Sequence, residues 1–399
     1  MSSFSDFLGN EHPLDGLGEV AAAESQELAR LFGNKAAAIG GTVGTSSLPA
    51  QLAKRFWASH RERLEQLVLH TNAKQPARSS ICILGAGRCL DIDLEKLARH
   101  GFVDITLMDL DRSGMYSALE EFADTRSETP TISEGQGRSL KLSFAGDRPF
   151  SLTACMIDGS LLLEGMANCK SHFLPQIESL VADRKEPREV FQAVTNWISK
   201  SATHPAELPN SGWDVVFSDC LLSQMTATVT TKILVALENV VTRCLAPESI
   251  EPFVLMVSNI AEQQVLKYHL RLLAKLSNTS GPIHIASDAV AIERRKIKSS
   301  RTYPTGYQLA LDDGETAIIE RRIPRFTGQR HLRDSLIPHL SEWPGATAVN
   351  EGQWLWNRQP CELIEAAEDF TSSQPIYAEE VQAVTVFGMS EKKKRESGS

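Results

Sequence analysis

Residues 81–94 read ICILGAGRCLDIDL. An apolar run stops at Gly85-Ala86-Gly87, and helix-compatible sequence resumes just beyond it. Gly85 and Gly87 lack a Cβ, so the backbone there can take φ > 0 and let a ligand come close. A helix that starts after such a turn offers unpaired N–H groups beside it. Residues 104–111, DITLMDLD, are a second apolar run that ends in carboxylates, with Asp109 22 residues beyond Gly87. In nucleotide-binding α/β folds, an acid at that distance holds a ribose hydroxyl pair.

The glycine spacing separates two cofactor classes. The dinucleotide pattern G-x-G-x-x-G needs a small residue at position 90, where this chain has Leu90, too bulky for close packing of helix on strand. A G-x-G-x-G pattern that begins at Gly85 puts the small Cys89 at its third position. The stretch resembles motif I of the class I S-adenosylmethionine-dependent methyltransferases, and DITLMDLD resembles their acid-ended second strand. Two residues depart from that pattern: Cys89 replaces the third glycine, and Ile83 stands where the family often has an acid beside the methionine portion of its cofactor. Asp91 or Asp93 could take that acid's place.

Hydrophobic residues make up 42% of the 399-residue chain and charged residues 23%, which suits a globular protein with a large core and two or three domains. The net charge of -9 argues against a nucleic-acid-coating surface. No apolar run reaches the roughly 20 residues that span a bilayer, and the first residues lack the pattern of a secretory signal. The seven cysteines are spread out with no C-x-x-C pair, so neither a zinc site nor a disulfide framework is expected, and a cytoplasmic location is.

Before the glycine turn, residues 23–32 suggest a short helix and residues 39–44 a Gly-rich linker. Ser47 and Pro49 then open a stronger helix whose apolar face carries Leu52, Phe56, Leu64, Leu67 and Val68. That helix is either a lid over the site or a helix docked on the sheet, and His70 near its end reads as solvated. After the turn, a helix over 94–99 is stopped by His100-Gly101. Met115, Leu119 and Phe122 mark the next helix, and alternation of this kind points to βαβ units and a mainly parallel sheet. Residues 125–137 read as a surface loop. Either 140–144 or 152–157 is the third strand, so Asp147 and Asp158 compete for the polar position that the family places there to meet the adenine; Asp158 is preferred, with a plain N-cap as its alternative role.

Residues 213–225, WDVVFSDCLLSQM, place Ser218-Asp219 at the carboxyl end of a buried-strand run, where open α/β sheets bind ligands. The stretch resembles motif IV of the methyltransferases, which faces the transferred methyl. Asp219 is either the base there or the cap of a helix over 221–245. Residues 252–258, PFVLMVS, read as the fifth strand and 261–276 as its helix, in which His269 is a paired core or surface histidine rather than a base. Asp312-Asp313-Gly314-Glu315 marks a hairpin. Residues 293–333 around it hold ten Lys/Arg against five Asp/Glu, so the hairpin has a basic face or is a charge-protected edge. Two of the runs 354–356, 361–366 and 381–387 would close the sheet, and the tail EKKKRESGS is a solvated charge run.

The resemblance spans residues 81–258. It implies a seven-stranded, mainly parallel Rossmann-like α/β core over 76–290, a helical N-terminal extension over 1–75, a basic β-hairpin insertion over 291–350, C-terminal strands over 351–390 and a disordered tail over 391–399. It also implies S-adenosylmethionine as cofactor, held by Leu84, Gly85, Ala86, Gly87, Asp109, Leu110, Asp158 and Ser218. Asp219 would be the catalytic residue acting on an unidentified small-molecule acceptor, with no metal, membrane or nucleic acid involved. A nicotinamide-dependent oxidoreductase and a non-catalytic interaction protein on the same fold are the alternatives.

Overall fold

The computed structural model describes residues 50–74, 80–135, 139–146, 149–183, 185, 187–203, 208, 212–278, 281–299, 302–324, 331–356 and 376–389. The expectations for residues 23–32, 39–44, 361–366, 391–399 and Asp147 lie outside them. The chain opens with helices α1 (Ala50–Phe56) and α2 (Ala58–Lys74), followed by β1 (Ser80–Leu84), α3 (Leu94–Arg99), β2 (Asp104–Asp109) and α4 (Arg112–Asp124). Next come β3 (Thr131–Glu134), β4 (Leu140–Phe144), β5 (Phe150–Met156), α5 (Leu163–Ala182), α6 (Pro187–Lys200), β6 (Val215–Asp219), α7 (Leu222–Cys244) and α8 (Pro247–Leu276). The last elements are β7 (Ile283–Lys298), β8 (Gln308–Asp312), β9 (Thr316–Pro324), α9 (Leu332–Leu340), β10 (Thr347–Trp356) and β11 (Ile376–Phe387).

The strands form one eleven-stranded sheet in the order β10-β11-β7-β6-β1-β2-β5-β4-β3, with β9 on β7 and β8 on β9. Strands β5, β2, β1, β6 and β7 are mutually parallel, and β11 runs against both β7 and β10. The Rossmann-like α/β core is therefore present, closed by an antiparallel C-terminal pair. Period-two alternation sends successive side chains to opposite faces. Cys82, Leu84 and Val216 join the core under α5 to α8, while Ile81, Ile83, Val215 and Phe217 join the one under α2 to α4.

Four local expectations change or become definite. The third strand is β5, which pairs with β2, whereas residues 140–144 pair antiparallel on its outer side. Within the expected loop over 125–137, residues 131–134 form β3, which adds to β4 as an edge. Residues 252–258 are not a strand: they lie inside α8, and the fifth strand is β7. A short apolar run does not distinguish strand from helix by itself, and length decides. Here Phe253, Val254, Val257, Ile260, Ala261 and Val265 continue at helical spacing on a buried face. Among the residues of the expected helix after the glycine turn and His100-Gly101 stop, the boundaries hold, with Asp93 accepting from the Lys96 N–H at 3.0 Å as N-cap.

Strand β7 passes the carboxyl end of β6 at Asp219↔Ala286 and runs on from residue 290 to 298 against β9. The hairpin thus prolongs the core sheet beyond β6. Asp313 shapes its turn by accepting from the N–H groups of Glu315 at 3.0 Å and Thr316 at 2.6 Å, and Gly314 takes φ +92°. Its basic residues are largely paired: buried Glu293 holds Arg295 and Arg321, each at 2.6 Å, and Tyr307 Oη at 2.5 Å. The charge-protected edge describes it better than a free basic face. No helix of the described residues is long and apolar enough to cross a membrane.

Pro252 sits in the second turn of α8, exposed, where it withholds one intrahelical N–H. Pro252→Ala should raise the free energy of urea unfolding by about 1–3 kcal/mol. A destabilised variant would contradict the helical assignment of residues 252–258.

Candidate active site at the carboxyl edge of the sheet

The chain leaves β1 toward β2 on one side, and β6 lies on the other, so the sheet has its topological switch between β1 and β6. Gly85, Gly87 and Cys89 follow β1 and all take left-handed conformations, with φ of +79°, +45° and +51°. Left-handed residues thus alternate along the turn. A Cβ on Gly85 would lie 2.5 Å from the Asp219 carbonyl oxygen, so only glycine fits there. Cys89 pays the strain of a left-handed non-glycine residue, roughly 1–2 kcal/mol.

Asp109 closes the turn from the β2 side. Its Oδ2 accepts the Gly87 N–H at 2.8 Å and its Oδ1 the Asp111 N–H at 2.9 Å. A carboxylate has about four acceptor positions, so capacity remains for a ligand hydroxyl. Burial pushes its pKa up, and the backbone N–H groups of Asp111, Gly87 and Leu110 oppose that shift. The Asp109 carbonyl also accepts the Ile157 N–H at 3.1 Å, which brings the end of β5 alongside. Asp158 follows immediately, but its carboxylate accepts from Ser160 N and Oγ and from Leu162 N and Leu163 N at 2.6 to 2.9 Å. Its first role is to shape its own loop and the start of α5. Leu84 and Ala86 are buried, and Leu110 packs on the core beneath them.

At the end of β6, Ser218 and Asp219 are both buried. Ser218 Oγ–H donates to His269 Nε2 at 2.9 Å, and His269 Nδ1–H donates to the Gly159 carbonyl at 2.9 Å. A carbonyl can only accept, which fixes this tautomer. Burial lowers the His269 pKa to about 4, so the ring is neutral and ties β6 to the loop after β5. His269 is the paired core histidine expected of it. Asp219 does not cap α7: the position before that helix is Leu221, and no side chain caps it. Instead Asp219 is 2% exposed, and its carboxyl interacts with the Cys220 thiol and with Asp91. Its carboxyl faces that of Asp91; burial raises both pKa values, Asp91 to about 6, and each carboxyl affects the other.

Helix α2 supplies groups that the sequence alone did not single out. It docks on the sheet through β10, with Trp57 edge-on to Trp356 at 5.1 Å and His60 stacked on Trp356 at 4.1 Å. Arg61 donates to the Leu90 carbonyl at 2.8 Å, and buried Glu65 accepts from the Asp93 N–H at 3.1 Å and pairs with Lys96 at 2.5 Å. The helix therefore braces the segment that follows the glycine turn. A legible signal was present: His60, Arg61 and Glu65 interrupt a stripe of Ala53, Trp57, Leu64 and Val68 at helical spacing.

Donor atoms of His60, Asp219 and Cys220 lie within 4.8 Å of one another, a set of ligand types that zinc uses. Trp354 Nε1–H donates to His60 Nδ1 at 2.8 Å, so the neutral ring carries its proton on Nε2 and has no lone pair there for a metal. Burial pushes the Cys89 and Cys220 thiols up, which disfavours the thiolate that ligation or nucleophilic attack needs.

No protein-family model and no curated protein matches the chain. Among solved structures it is similar to the S-adenosylmethionine-bound CalS10, an amino pentose methyltransferase from Micromonospora echinaspora, at 9% identity over 85% of this chain and 95% of that one, with a TM-score of 0.34. It is also similar to the glycopeptide N-methyltransferase MtfA complexed with sinefungin, at 10% identity over 86% and 98%, with a TM-score of 0.31. A third is the YcgJ protein from Bacillus, at 8% identity over 83% and 100%, with a TM-score of 0.33. Likeness this loose identifies neither ligand nor activity.

The titrating groups make opposed contributions to stability. The raised Asp91 pKa means that the folded state holds protons more tightly than the unfolded chain, so this contribution is full below about pH 4 and is lost as pH rises through 6. The depressed His269 pKa works the other way: its contribution is full above 6.5 and is lost as pH falls toward 4. Asp219→Asn removes the repulsion within the acid pair but leaves His269. In chemical denaturation the variant should gain stability relative to the parent as pH rises from about 4 to 7. A pH-independent difference would contradict the pairing of Asp91 with Asp219.

Proposed function

We propose that the chain binds S-adenosylmethionine across the carboxyl ends of β1, β2 and β6 and catalyses methyl transfer to a small-molecule acceptor. The observation that carries this reading is the turn itself, left-handed at residues 85, 87 and 89 and pinned to Asp109 by the Gly87 N–H. In it, Leu84 to Gly87 would lie along the cofactor, Asp109 would accept from a ribose hydroxyl, and Leu110 and the loop built by Asp158 would border the adenine. Ser218 would line the opposite wall. The fit to the sulfonium end rests on Asp219, whose backbone carbonyl meets the turn at Gly85 and whose buried carboxyl suits a cationic neighbour.

The cofactor supplies a methyl group already activated by its sulfonium. What remains for the protein is to align the acceptor, exclude water and take a proton. Burial at the end of β6 excludes water, and the Ser218–His269–Gly159 chain holds the two walls of the crevice in register. Asp219, its pKa raised by burial, is the group placed to receive a proton. Its 2% exposure favours a slender acceptor over a broad macromolecular surface.

Calorimetry should show saturable binding of S-adenosylmethionine and S-adenosylhomocysteine in the micromolar range, roughly -8 kcal/mol. Asp109→Ala should weaken both at least about tenfold, since a hydrogen bond to a charged group contributes about 1.5–3 kcal/mol. Its circular dichroism should match the parent. Absence of binding by either ligand, with saturable binding of a nicotinamide dinucleotide, would replace this reading by the oxidoreductase one.

A further inference from the structure

The loops that follow β1 and β5 each present a glycine to one side chain, Leu221. A Cβ on Gly85 would lie 3.2 Å from the Leu221 Cβ, and a Cβ on Gly159 would lie 2.8 Å from its Cδ2. Leu221 is thus a wedge between the two loops, and its own position is fixed. The left-handed Cys220, with φ of +47°, turns the chain into α7, and its N–H is held by the Ala286 carbonyl at 2.9 Å. Met225, one helical turn further on, backs the wedge, with its Sδ 3.0 Å from the same Cβ position of Gly159. The Gly159 carbonyl is in turn held by His269 Nδ1–H at 2.9 Å. Among residues 218–223, Leu221 is half-buried and the other five are buried. It is therefore the residue of this run that a ligand in the crevice can reach, and what it offers is an isobutyl group with no hydrogen-bonding atom.

We propose that Leu221 determines the size of the alkyl group that the cofactor carries on sulfur, admitting methyl and excluding larger groups; the proposal rests on the methyltransferase reading above. That reading sets the sulfonium beside Asp219, two residues before Leu221, so the group on sulfur comes within reach of the wedge. An alkyl group has no hydrogen bond to gain, and a site can select among alkyl groups only by the room it leaves them. A wall anchored by backbone hydrogen bonds on both sides does so steeply, because it does not move apart to make room. In a hydrophobic pocket one methylene more or less changes binding about 10- to 200-fold.

The test uses the full chain, titrated by calorimetry with S-adenosylmethionine and with two analogues that carry ethyl or butyl on sulfur in place of methyl. The parent should bind the butyl analogue at least about tenfold more weakly than S-adenosylmethionine. Leu221→Ala deletes as many side-chain carbons as butyl adds to methyl, and it should bring the two affinities within about threefold of each other. Leu221→Val, which deletes one carbon, should narrow the preference for methyl over ethyl in the same way, so the result does not depend on the folding of Leu221→Ala. Equal binding of S-adenosylmethionine and the butyl analogue by the parent would overturn the proposal, as would a preference that either folded variant leaves unchanged. A parent that binds neither S-adenosylmethionine nor S-adenosylhomocysteine sinks the methyltransferase reading, and this proposal with it.

Discussion

The last carbonyl of β6 occupies the space in which a side chain at position 85 would stand, and the architecture of the site depends on that contact. Because Gly85 has no Cβ, β1 can turn sharply under the end of β6, and the crevice between the two strands stays narrow at its floor. The Gly85 N–H donates to the Met108 carbonyl at 2.9 Å, and the Cys220 N–H to the Ala286 carbonyl at 2.9 Å. Four adjacent strand ends are thereby fixed relative to one another by backbone bonds, which depend little on side-chain identity. The polar side chains are then set on a rigid edge, as a preorganised site requires.

Around this edge the chain spends stability in a concentrated way. Cys89 and Cys220 both hold left-handed backbones, Asp219 and Asp91 are desolvated together, and His269 is kept neutral by burial. Strain and perturbed titration of this kind cluster where chemistry is done. Compensation comes from the surroundings. Helix α2 ties the post-turn segment through Arg61 and Glu65, and its His60, with Trp57 just before the helix, locks onto Trp356. Aromatic contacts of this type contribute about 0.5–1.5 kcal/mol each beyond their buried area. The helix packs as a docked brace, one of the two roles open to it from its sequence.

Much of this was legible in residue order. An apolar run, a Gly-x-Gly turn, an acid-ended second run and a buried run ending in Ser218-Asp219 are local patterns, and local patterns survive into the fold. Residues 252–258 misled because an apolar heptad is compatible with either a strand or a buried helix; the longer spacing through Val265 held the answer. The 16-residue strand β7 was obscured for the related reason that its second half, rich in Arg and Lys, looks like surface until β9 is seen to cover it. The Asp91–Asp219 and His60–Asp219 juxtapositions are long-range contacts made by strand order and by the docking of α2. No spacing along the chain encodes them.

The central claim is that the turn at residues 85–89 and Asp109 together form a cofactor cradle. A crystal structure of the protein with S-adenosylhomocysteine tests it most directly. The account predicts ligand density along Leu84 to Gly87, with a ribose hydroxyl on the Asp109 carboxylate and the sulfur directed toward Asp219. Ligand bound elsewhere, or a ribose that leaves Asp109 with only its bonds to Gly87 and Asp111, would contradict it.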